Sequence, residues 1–259
     1  MTIRSSMYFT FNGQRSDDFG IVNVNMESGM LSESFAAGRS IRKQRVRGRD
    51  RGYFQEIELE EFKFTVTFAW KSGWENEDKL REVARWLLSP KYYAPLVFAD
   101  QPDKIYYCLC VDSPELIHNS LKQGYVRLNF ECCDAYAYTP VYERVFDLSN
   151  NPSEGSVIVL ENIGDAECKP IVSIYKVGSG DVTIRNQSNG NAEMTLVQLA
   201  GGETVDVDCE NRLIKSDLPL TYRYDNLRGD YLSLPIFDNR LLIRGRCKLK
   251  FIYQFKRLQ

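Results

Sequence analysis

Nine consecutive residues constrain this chain more than any other stretch: Phe62, Phe64, Val66, Phe68 and Trp70 alternate with Lys63, Thr65, Thr67 and Ala69. Successive strand side chains point to opposite faces, so a period of two over this length predicts a half-buried β-strand with an aromatic face. Other stretches follow the same rule. Phe9 and Phe11 alternate with polar neighbours and run into Asn12-Gly13, a hairpin signal. Phe19, Ile21, Val22 and Val24 form a second apolar segment. Strands are also expected at Leu96 to Ala99, Ile105 to Val111 and Tyr125 to Cys132.

Helical spacing stands out once. Leu80, Val83, Ala84, Leu87 and Leu88 make an apolar stripe, with Glu75, Glu77 and Asp78 in the first turn and Arg81 and Arg85 further along. Pro90 ends it. Past the turn-forming cluster Ser149-Asn150-Asn151-Pro152-Ser153 no helical pattern recurs. Short strands are read at Val157 to Leu160, Ile171 to Val177 and Val182 to Arg185, and in the closing alternation Cys247, Leu249, Phe251, Tyr253 and Phe255. The 259 residues therefore divide into an α+β N-terminal domain, residues 1–150, with one helix among β-sandwich-like sheets, and an all-β antiparallel sandwich, residues 151–259.

Composition removes several classes of function. Apolar residues at 43% and charged ones at 26% argue for a globular chain, not a disordered one. No apolar run reaches the ~20 residues of a membrane helix, and Met1 to Ser6 carry no secretory stretch. A net charge of -2 is not that of a molecule built to coat nucleic acid. Seven cysteines, with Cys132 and Cys133 adjacent, cannot all pair within one chain, and a reducing compartment is the simpler reading.

Catalytic constellations are poorly supplied. The lone histidine, His118, lies in the polar segment Glu115 to Ser120, read as a connector, and Asp112-Ser113-Pro114 upstream makes no nucleophile elbow. Cys108-x-Cys110 and Cys132-Cys133 lack the two-residue spacing of paired zinc ligands and read as small packed hydrophobes. Gly178-Ser179-Gly180 sits between strands with no helix after it, which makes it a turn and not a phosphate loop. Acid pairs for glycoside hydrolysis need only meet in space, so spacing does not exclude them, but the local glutamates read as the wet side of a strand. No catalytic residue, cofactor or metal is assigned.

One feature asks for a partner. Arg39, Arg42, Lys43, Arg45, Arg47, Arg49 and Arg51 place seven cations in thirteen positions, with Asp50 the only acid, and Glu56, Glu58, Glu60 and Glu61 follow at once. Like charges this dense repel unless neutralised. Nucleic acid is one reading, although the run lacks the interleaved aromatics of single-strand binders. A solvated arm is a second. The third is an oligomer interface in which the strip pairs with an acidic surface, such as Glu56, Glu58 and Glu60 of another copy. The six-to-one excess of Arg over Lys favours the third, because guanidinium matches carboxylate bidentately.

Phe11-Asn12-Gly13 followed by Ser16-Asp17-Asp18-Phe19-Gly20-Ile21 resembles the opening of distal tail proteins of long, non-contractile-tailed bacteriophages. The basic, hairpin-like stretch before an aromatic strand is similar as well, and so are Tyr93-Ala94-Pro95-Leu96-Val97-Phe98-Ala99-Asp100 and Gly124 to Tyr138. In the second half Asn162-Ile163-Gly164, Pro170-Ile171 and Gly229-Asp230-Tyr231-Leu232-Ser233-Leu234 also fit. The resemblance implies a non-enzymatic virion protein, assembled in the host bacterial cytoplasm, whose N-terminal domain forms a six-membered ring between the tail tube and the tail tip. It implies a galectin-like C-terminal sandwich that meets tail-fibre or receptor-binding proteins, with DNA only as cargo through the ring. The alternative is a carbohydrate-binding module that adsorbs to the host cell wall, for which Tyr222, Tyr224 and Tyr231 are the candidate sugar contacts.

Overall fold

A computed structural model describes residues 6–24, 34–72, 76–118 and 124–258. Glu75 of the expected first helical turn, and Asn119 and Ser120 of the expected connector, lie outside the described residues. The chain divides into two compact units, Met1–Tyr138 with Leu258–Gln259, and Thr139–Arg257.

The first unit holds β1 (Phe9–Phe11), β2 (Gln14–Arg15), β3 (Ile21–Asn23), β4 (Arg39–Gln44), β5 (Tyr53–Leu59), β6 (Lys63–Trp70), α1 (Glu77–Leu88), β7 (Ala94–Phe98), β8 (Tyr106–His118), β9 (Gly124–Cys132) and β10 (Ala137–Tyr138). Seven strands form one antiparallel sheet in the order β2-β1-β7-β8-β9-β6-β3. The alternation in β6 is realised directly: Phe64, Val66, Phe68 and Trp70 are buried while their neighbours are not. Phe62 joins the same core with Phe9, Phe11, Phe98 and Phe130.

Helix α1 begins at Asn76, whose side-chain oxygen accepts from the backbone N–H of Asp78 (2.9 Å) and Lys79 (3.3 Å), satisfying donors that a helix start leaves open. Its buried face is Val83, Trp86 and Leu87, whereas Leu88 is exposed. Trp86 does the most to dock the helix. Its ring stacks on Phe19 (4.4 Å between centres) and Phe9 (5.7 Å), and Nε1 donates to the Phe11 carbonyl at 2.9 Å.

The segment around His118 differs from its reading as a connector. Strand β8 is interrupted between Val111 and Glu115, where Asp112 takes a positive φ of 62° ahead of Pro114, and then pairing resumes. Leu116 faces Val126, and His118 faces Gly124. Proline and a left-handed residue imitate a turn in sequence, but in the fold they make only a bulge.

The second unit is all β, apart from a short 3-10 turn at Tyr224–Asn226. It contains β11 (Tyr142–Leu148), β12 (Ser156–Asn162), β13 (Ile171–Lys176), β14 (Gly180–Asn186), β15 (Ala192–Leu199), β16 (Thr204–Asp208), β17 (Leu213–Ser216), β18 (Leu227–Gly229), β19 (Phe237–Arg244), β20 (Cys247–Tyr253) and β21 (Lys256–Arg257). Two five-stranded sheets, β11-β20-β13-β16-β17 and β12-β19-β14-β15-β18, enclose Val172, Ile174, Ile184, Val207, Leu241, Ile243 and Phe251. The division after Tyr138 moves the boundary read at Ser149–Ser153. Seven residues of β11 pair with β20, from Tyr142 opposite Tyr253 to Leu148 opposite Cys247. The polar cluster is a tight turn inside the sandwich, held by the Asn151 amide donating to the carbonyls of Ile243 and Gly245, both at 2.9 Å.

Candidate assembly surface

The basic run and the acidic run that follows it form a two-stranded antiparallel hairpin of β4 and β5, separate from the seven-stranded sheet. Arg39 lies opposite Leu59, Ser40 opposite Glu58, Ile41 opposite Ile57 and Arg42 opposite Glu56. The register then shifts so that Lys43 faces Phe54 and Gln44 faces Tyr53, with Gln55 donating its side-chain amide to Gln44 at 3.3 Å. At the base, the Glu60 N–H donates to the Gly38 carbonyl at 2.9 Å. Every residue of both strands is exposed.

Alternation sorts the hairpin into two unlike faces. One carries Ser40, Arg42, Glu56 and Glu58. Here Arg42 Nη1 lies 3.1 Å from Glu56 and 3.5 Å from Glu58. The acidic partner expected from another copy is supplied, for Arg42, by its own chain. Both side chains of the shorter pair remain more than half exposed, so water screens it and it fixes register more than it stabilises. The other face carries Ile41, Phe54, Ile57 and Leu59, flanked by Arg39 and Lys43. Phe54 is 62% exposed and Ile41 54%.

The tip concentrates the remaining charge. Gly48 supplies a positive φ of 88°, and Arg49 N–H donates to the Val46 carbonyl at 3.2 Å. The Arg49 guanidinium sits 4.8 Å from the centre of the Tyr53 ring, within cation–π range. Arg45, Arg47 and Arg51 are exposed and make no ion pair among the described residues. An isolated hairpin is at best marginally stable in water. This one exposes large apolar side chains and a net cationic tip, so its chemistry suits burial against another protein surface.

Sequence reasoning located the charges and missed the apolar face. The signal was present, with Ile41 at period two from Arg39 and Lys43, and Ile57 and Leu59 between glutamates, but the surrounding charge obscured it. The three candidate sugar-binding tyrosines differ in exposure and in what holds their hydroxyls. Tyr222 is 81% exposed. The Tyr224 hydroxyl accepts from the Ile214 N–H at 3.3 Å, and the Tyr231 hydroxyl donates to the Arg212 carbonyl at 3.1 Å while its ring packs on the sandwich core.

The described residues thus give a helix-bearing antiparallel sheet with an exposed hairpin in the first unit and a two-sheet sandwich in the second. Residues 4–134 match the phage tail protein N-terminal domain and residues 136–253 the phage tail C-terminal domain; the chain belongs to this phage tail protein family. The SPbeta prophage-derived protein YomH of Bacillus subtilis (strain 168) is 31% identical over 256 residues, 99% of this chain and 100% of that one. Among solved structures, the Dit (gp 19.1) protein of phage SPP1, described as a paradigm of the hub adsorption apparatus in phages infecting Gram-positive hosts, matches with a TM-score of 0.68 at 18% identity, over 96% of this chain and 99% of that one. A chain of the phage P2 baseplate in its activated conformation matches with a TM-score of 0.49 at 10% identity, over 92% of this chain and 91% of that one. The chain thus has the fold of distal tail proteins and a structural place in the phage tail.

Proposed function

We propose that this protein is a non-enzymatic hub subunit that closes into a hexameric ring joining the tail tube to the tail tip. The apolar face of the β4–β5 hairpin carries this reading: Ile41, Phe54, Ile57 and Leu59 stand uncovered on an arm that cannot bury them itself. In a cyclic assembly each copy presents one patch and receives its complement, so one kind of contact, repeated six times, covers every arm. Arg45, Arg47 and Arg51 at the tip meet acidic groups of the neighbouring copy. The C-terminal sandwich, galectin-like in this reading, faces outward toward fibre or receptor-binding proteins and contributes to host adsorption through them. Assembly takes place in the host cytoplasm, and DNA passes through the lumen as cargo.

Native mass measurement of the purified full chain tests the ring, with six times 29.9 kDa expected. Reversing charge at Arg45 and Arg47 should release subunits. A ring that survives both that change and polar replacement of Phe54 and Ile57 would overturn the role given to the hairpin.

A further inference from the structure

Two of the seven cysteines stand as direct cross-strand neighbours, Cys108 on β8 and Cys132 on β9. Their position in the ladder is decided by the next pair. The Cys133 N–H donates to the Tyr107 carbonyl at 2.9 Å, which makes 107 and 133 the hydrogen-bonded pair. Cys132 sends its own N–H the other way, to the Phe62 carbonyl at 2.9 Å. Cys108 and Cys132 therefore occupy a non-hydrogen-bonded site, where antiparallel Cα atoms approach to about 4.5 Å and side chains lie closest. A disulfide accepts Cα separations from about 4.4 to 6.8 Å. Both side chains are fully buried on the same face of the sheet, in the aromatic core.

We propose that Cys108 and Cys132 form a latent disulfide site that closes to staple β8 to β9 when the chain folds or opens in the presence of a small-molecule disulfide. One thiolate attacks that disulfide, forming a mixed disulfide and expelling one small thiolate. The second cysteine attacks the protein-bound sulfur of the mixed disulfide and expels the other. One protein S–S bond forms, the small disulfide is reduced to two thiols, and the two cysteine protons leave with them. In the closed fold, burial pushes the Cys108 thiol well up and the neighbouring Cys132 adds to it, so exchange proceeds through opened chains. The remaining cysteines lack this geometry. Cys110 lies opposite Phe130, and the Cys168 and Cys209 thiols point to the carbonyls of Gln254 and Val207.

The full chain is refolded from urea in a reduced and oxidised glutathione couple, and cystine positions are mapped by peptide mass. The expected product links Cys108 to Cys132, lowers the intact mass by about 2 Da for the two hydrogens lost, and leaves five of the seven thiols titratable. Its urea midpoint is higher than that of the reduced chain, and dithiothreitol reverses the gain. Cys108→Ser and Cys132→Ser should each keep all six remaining thiols. Recovery of native circular dichroism in both variants separates loss of the bond from loss of the fold. A refolded chain with both thiols free, or with Cys110 in place of either partner, overturns the proposal.

Discussion

Arg223 clasps Glu203 with two hydrogen bonds of 2.7 Å, from Nε to one carboxylate oxygen and from Nη2 to the other, and the Glu203 side chain is wholly buried. Ser216 Oγ and the Ala200 N–H complete the shell at 2.7 and 2.8 Å. Through this pair the segment after β17 is tied to the turn before β16. Breaking a buried pair leaves an uncompensated charge, so Arg223→Ala should lower the stability of the sandwich by about 3–5 kcal/mol. Urea unfolding compared with the unsubstituted chain checks this.

The same carboxylate gives a pH signature. Burial alone would raise the Glu203 pKa, but hydrogen bonds from Arg223, Ser216 and Ala200 outweigh it and hold the group below its ordinary value. A depressed carboxyl stabilises the fold fully above the unfolded pKa, near 4.3, and loses that contribution as pH falls through the folded value. Unfolding free energy should drop on acidification below pH of about 4, and Glu203→Gln should flatten that part of the curve. A parallel profile for the variant would contradict the assignment.

Trp86 should be the residue of α1 least tolerant of change. Trp86→Phe keeps much of the stacking on Phe9 and Phe19 but leaves the Phe11 carbonyl without its donor, at a cost of about 1–3 kcal/mol. Trp86→Ala also opens a cavity, and about 3–5 kcal/mol is expected. Chemical denaturation of the two variants should separate in that order.

Gly229, part of the Gly-Asp-Tyr motif, holds a φ of 78° where a Cβ would collide with the Glu193 carbonyl oxygen. The Asp230 N–H donates to that same oxygen at 3.0 Å, so the backbone has no room to retreat. Gly229→Ala should lose several kcal/mol from combined strain and clash. Thermal unfolding reads the loss; a change within ~0.5 kcal/mol would mean the strand pairing between β15 and β18 yields easily.

What could be read from sequence, and what could not, follows from the range of the forces involved. The aromatic alternation of Phe62 to Trp70 and the stripe from Leu80 to Leu87 are local patterns that burial enforces, and both elements appear where expected. Trp86 escaped because it lies outside the Leu–Val–Ala stripe, and its partners, Phe9, Phe11 and Phe19, are distant in sequence. The boundary is read too late because the strand Tyr142–Leu148 is claimed by Cys247–Tyr253, about a hundred residues away, and local turn chemistry at Asn151 carries no information on that pairing. The hairpin was legible in charge but not in shape: Glu56 and Glu58 could be seen as acceptors for arginine, while only the register decides that Arg42 of the same chain takes them and leaves Ile41 and Ile57 bare.

The claim on which the functional account rests is that a second copy covers the apolar face of the β4–β5 arm. Sedimentation velocity on the purified chain and on a Phe54→Ser/Ile57→Ser variant tests it most directly, with circular dichroism as the control for folding. These side chains are exposed, so the account predicts an unchanged fold and a shift from the ring to single subunits. A correctly folded variant that sediments as the same ring would contradict it.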